Sequence, residues 1–132
     1  MIFQSMHFGP EFINFSRQDP KNKENVDNFV WTPNTGWQGP KIVKLSGGGK
    51  LEDNLFNIDD VNWDAIPVFI AETEKLAKEN GIEKASLGSS IMINFNVRKQ
   101  TLSFSATVKG ERKDAYSTGD AQTGKVTNFR VK

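Results

Sequence analysis

Few side chains in this sequence are placed to do chemistry. Ser46-Gly47-Gly48-Gly49-Lys50-Leu51 has the glycines and the lysine of a phosphate-cradling loop. That loop needs a glycine five residues before the last glycine and a hydroxyl directly after the lysine. Lys44 and Leu51 occupy those positions, so phosphate binding is not expected. His7 is the only histidine and cysteine is absent. Zinc sites are assembled from several such ligands, and nucleophilic triads need a histidine placed beside a nucleophile. No catalytic residue, metal ligand or cofactor is therefore assigned. Glu52-Asp53 and Asp59-Asp60 are carboxylate pairs of the kind that acid–base chemistry or Ca²⁺ uses. Neither has the alternating oxygen spacing of a Ca²⁺ loop. Asp59, Asp60 and Asp64 are better explained by the positive end of the helix that follows them. An enzymatic reading is left with Asp59, Asp60, Tyr116 and Asp120, which the sequence does not bring together. Asn14-Phe15-Ser16 matches a glycosylation acceptor, a signal that matters only in a eukaryotic secretory pathway.

The elements able to position side chains are clearest in the second half. Ile66, Phe69, Ile70, Thr73, Leu76 and Ala77 recur at three- and four-residue spacing, which predicts an amphipathic helix. Asp64 is placed to cap its start, Pro67 falls in the first turn, where a missing N–H costs nothing, and Asn80-Gly81 ends it. The period then drops to two. Ile91, Ile93, Phe95 and Val97 alternate with polar residues, as do Leu102, Phe104, Ala106 and Val108, which predicts a hairpin turning at Arg98–Thr101. A weaker strand through about Arg112–Thr118 and a closing strand over Val126–Val131 complete a meander. Phe69, Ile70, Leu76, Ile93, Phe95, Phe104 and Val108 are the expected core. The opposite face carries Asn94, Asn96 and Arg98 beside Ser103, Ser105 and Thr107, short polar groups suited to water or to a partner.

Glu79-Asn80-Gly81-Ile82 at the helix end, the meander, and Asp120-Ala121-Gln122-Thr123-Gly124-Lys125-Val126 together resemble the PepSY family of small bacterial domains. The closing hairpin of that family carries an Asp-Ala-x-Thr-Gly-x-Val turn. Ser117-Thr118-Gly119 stands where the family has an apolar strand. The resemblance covers roughly the last half of the chain. It implies a cystatin-like fold, a place outside the cytoplasm and no shared catalytic residues. The residues themselves explain the turn: Asp120 can bond its own backbone and Gly124 can supply positive φ.

The expected fold is α+β: one long helix packed on an antiparallel meander of about four strands. Residues 62–132 form that part. Residues 1–61 form an irregular extension of short strands and loops, able to add strands and packed on the main part as one globular unit. Phe3, Phe8, Phe12, Ile13 and Phe15 make the first twenty residues too aromatic for a floppy tail. Of the 132 residues, 36% are hydrophobic and 25% charged, with net charge +1. No concentrated basic patch suggests nucleic acid, and no apolar run suggests membrane insertion. The N-terminus has neither the basic start nor the apolar stretch of a signal peptide. A periplasmic or extracytoplasmic location is expected if a leader precedes this numbering, and a cytoplasmic one otherwise.

Two functions stay open on the sequence. One is a non-catalytic bacterial protein-binding module, inhibitor- or immunity-like, docking on another protein such as an enzyme or toxin. Its contact would be Asn94, Asn96, Arg98, Ser103, Ser105 and Thr107, or failing that the aromatics around Phe8, Phe12, Trp31 and Trp37. The other is a small-ligand-binding or enzymatic domain with a pocket between helix and sheet.

Overall fold

A computed structural model describes residues 1–46 and 49–132, with the backbone alone at 87–90. Gly47 and Gly48 of the expected glycine loop lie outside the described residues. The strands are β1 (Ile2–Gly9), β2 (Phe12–Gln18), β3 (Val26–Thr32), β4 (Gly36–Ile42), β5 (Leu55–Phe56), β6 (Ser86–Asn96), β7 (Thr101–Lys109), β8 (Ala115–Asp120) and β9 (Val126–Val131). The helix α1 (Ala65–Glu79) lies between β5 and β6. Among the described residues, nine strands join one sheet in the order β4-β3-β2-β1-β6-β7-β8-β9, with β5 beside the start of β1. Every pairing is antiparallel.

This overturns the expectation of a helix on a four-strand meander with an irregular N-terminal extension. The stretch expected to be irregular supplies β1 to β5. Two four-strand meanders meet at their first strands, β1 and β6, which pair through Met6↔Ile93 and Phe8↔Ile91. The alternation of the first meander is masked because apolar residues fall on both faces. Phe12-Ile13 and Phe29-Val30-Trp31 read as apolar runs, although neighbours along a strand point to opposite faces. Trp37-Gln38-Gly39-Pro40 reads as a turn but belongs to β4, an edge strand, where proline is tolerated.

The second meander forms much as its period dictates. Ile93 pairs with Phe104 and Phe95 with Leu102, so one apolar face meets α1. Phe69 and Phe104 are fully buried, with ring centroids 5.7 Å apart. Gly119 lies opposite Phe104, and a Cβ there would come within 2.5 Å of the Phe69 ring. The absent side chain is what lets the helix sit down on the sheet. Thr73 and Ser117, both fully buried, join hydroxyls at 2.9 Å across the same interface. The expected core is only partly uniform. Ile70, Leu76 and Phe95 are half-buried, and Val108 belongs to a second cluster with Ala77, Ile82 and Ala115.

The helix ends are asymmetric. Asp64 makes no side-chain cap; the first free N–H groups are taken instead by Asn62 and Trp63 carbonyls, at 3.1 and 3.2 Å. At the other end the Gly81 N–H donates to the Lys78 carbonyl and the Ile82 N–H to the Ala77 carbonyl. With Gly81 at φ +70, this is a Schellman closure, and Ile82 packs back on Ala77. No helix among the described residues is long and apolar enough to cross a membrane.

Candidate functional site

The sheet has two faces, and the register assigns each side chain to one of them. The face away from α1 carries five of the six expected contact residues. Asn94 is paired with Ser103 and Asn96 with Thr101, while Ser105 is paired with Thr118 and Thr107 with Tyr116. Asn94 donates its amide to the Ser105 hydroxyl at 2.9 Å. Arg98 stands apart, exposed in the turn after β6, and does not join this row.

Accessibility differs along the row. Asn96 is exposed, and Asn94, Ser103 and Thr107 are half-buried. Ser105 is only 4% exposed. Its short side chain is flanked by Met92 and Thr118 on the two neighbouring strands and by Asn94, which bonds it. The sequence pattern reports which face a residue occupies. It does not report how far the neighbouring side chains rise above it.

The polar face continues into the first meander, which sequence reasoning missed. His7 lies between Asn14 and Met92. Asn28 directs its amide at the Asn14 side-chain oxygen and the Ser16 hydroxyl, at 2.9 and 3.0 Å. The available signal was the alternation Asn14, Ser16, Gln18 against Ile13, Phe15, Arg17, broken only by Phe12. Among the described residues no buried side-chain polar atom lacks a hydrogen-bond partner.

The other face divides in two. α1 covers β6 to β9. Beyond it, cross-strand pairing lines up Phe8, Ile13, Trp31 and Trp37, and beside them Met6, Phe15 and Phe29. Phe15 and Phe29 stack at 5.7 Å, Trp37 meets Phe15 edge-on at 5.8 Å, and Arg17 lies over the Phe29 ring at 4.8 Å. Trp63, just before the helix, leans on Phe8 at 6.1 Å. Phe8, Trp31 and Trp37 thus share a face, whereas Phe12 points to the polar side.

A cavity of about 570 Å³ opens at the strand ends, lined by Phe56, Asp59, Asp60, Phe95, Gln100 and Asp120 among others. Three of the four acid–base candidates meet here, and Tyr116 is on the far face of the sheet. Asp120 is already engaged: one carboxylate oxygen accepts from the Gln122 N–H at 2.6 Å and the Thr123 N–H at 3.3 Å. Gly124, at φ +80, tucks that turn against the Ala65 carbonyl. The closing motif therefore builds the platform under the start of α1. Among the described residues no three acidic or histidine side chains are grouped to hold a metal ion.

Asp114 lies in the connection between β7 and β8. The Gly110 N–H, 3.2 Å away, and then the Lys109 ammonium, at 3.3 Å, hold it below the usual aspartate range. It braces the β7–β8 turn.

No family model, curated protein or solved structure matches this chain. Function has to be argued from the two faces of the sheet.

Proposed function

We propose that this chain is a non-catalytic module that binds another protein, such as an enzyme or toxin, through the polar face of its sheet. The observation that carries the reading is a polar sheet face on which Asn28 bonds Asn14 and Ser16, and Asn94 bonds Ser105, with Ser103, Asn96 and Thr107 on the same face by register. Short side chains held by their neighbours lose little entropy on binding. Their remaining donors and acceptors offer directional hydrogen bonds across a flat surface. Asn96 is its exposed member, Thr107 is half-buried, and Ser105 acts by holding Asn94. Arg98 lies at the rim, where a charge steers a partner more than it adds affinity.

The test uses a partner identified by affinity capture from the source organism. Asn96→Glu, at an exposed position, introduces unmatched charge and should leave folding within about 0.5 kcal/mol, and Thr107→Lys adds a second charge whose effect on folding is checked by the melting temperature of the double variant. Binding should weaken by at least ~2 kcal/mol through clash and unpaired charge. Unchanged affinity in the folded double variant would remove this face from the contact.

A further inference from the structure

Among the described residues, the half of the helix-side face beyond α1 is an apolar surface that the chain's own elements leave uncovered. An aromatic side chain carries roughly 200 Å² of surface. Trp37 is 57% exposed, Trp63 43% and Ile42 87%. With their half-buried neighbours they leave on the order of 600 Å² of apolar surface open, the upper end of what a monomer ordinarily shows.

We propose that this surface is the interface of a symmetric homodimer, the occupant being a second copy of this chain. Interface cores are about 65% apolar, so that area corresponds to roughly 900 Å² per copy, against the ~800 Å² per partner of a standard stable interface. The charges on the patch are self-complementary. Arg17 stands directly opposite Asp27 on adjacent strands, with Ile42 next in line. A two-fold axis sets Arg17 of each copy against Asp27 of its partner, as an isologous contact requires.

The step formed by α1 also fits. Four strands span about 19 Å, sheets pack about 10 Å apart, and a helix is about 10–12 Å across. The bare half of one copy therefore slides beside the helix of the other, and neither helix blocks the approach. The rings are already fixed against one another, Phe15 on Phe29 and Trp37 on Phe15, so little ordering remains to oppose association. In this dimer both polar faces point outward, leaving the proposed partner surface free.

Sedimentation equilibrium of the full chain at micromolar to hundred-micromolar concentration tests the proposal. It should give twice the chain mass. Trp37→Asp should weaken the dimer at least ~30-fold, the loss expected of an aromatic anchor buried in an interface. Ile42→Arg, at a site so exposed that folding is unaffected, gives the same readout if Trp37→Asp does not fold. Val68→Asp, on the outer side of α1 and 49% exposed, and Asn96→Glu should leave the dimer intact. A monomer at every concentration, or a dimer that survives Ile42→Arg, overturns the proposal.

Discussion

The hydroxyl pair Thr73–Ser117 gives the sharpest test of how helix and sheet are joined. Both residues are fully buried, and their oxygens lie 2.9 Å apart. Thr73→Val keeps the side-chain shape and removes one partner. The Ser117 hydroxyl is then buried with nothing to bond, which costs about 1–3 kcal/mol. Ser117→Ala should cost less, about 0.5–1.5 kcal/mol, because Thr73 can turn its hydroxyl back to the carbonyl one turn earlier in α1. Removing both leaves no stranded polar atom, so the double variant should lose less than the sum of the singles, with a coupling of about 1 kcal/mol or more. Urea denaturation followed by fluorescence measures all three, with unchanged slopes showing that the denatured state is not altered. Additivity within ~0.5 kcal/mol would mean that the two hydroxyls do not meet.

Further outcomes follow from the same interface and from the turn beyond it. Gly119→Ala puts a methyl 2.5 Å from the Phe69 ring and should cost about 1–3 kcal/mol by overpacking; unchanged thermal stability would show that α1 does not sit this low. Asp114 has its carboxyl pKa lowered in the fold, so its ionised form contributes stability above the ordinary aspartate value of 3.8 and loses it as the pH falls through the lower folded value. The melting temperature of Asp114→Asn should therefore lie below that of the parent near neutral pH, with the gap closing below pH 3.8. A gap that widens in acid contradicts the assigned sign.

The second half of the fold was legible because each element shows a single period. The stripe of Phe69, Thr73 and Ala77 and the alternation of Ile93, Phe95, Phe104 and Val108 each bury one face against one neighbour. The first half was not legible for a physical reason. Phe12 and Val30 place apolar side chains on the same face as Asn14 and Asn28, so neither face of β2 or β3 reads as purely wet. Pairing across β1 and β6 depends on residues more than eighty positions apart, such as Met6 and Ile93, which no local pattern reveals. Five residues of the candidate contact were placed correctly on one face by alternation alone. Arg98 was not, because it lies two residues beyond the end of its strand. Asp64 makes no cap: of the two positions a cap bonds, the Ile66 N–H goes to the Trp63 carbonyl and Pro67 has no N–H to offer.

The claim that the polar face meets a partner protein is tested most directly by photo-crosslinking in the source organism. A photoreactive phenylalanine analogue is placed at Asn96, at Thr107, and at Glu74 on the exposed side of α1. The account predicts an adduct of one discrete mass from Asn96 and from Thr107, and none from Glu74. An adduct from Glu74 with nothing from the other two sites would contradict it.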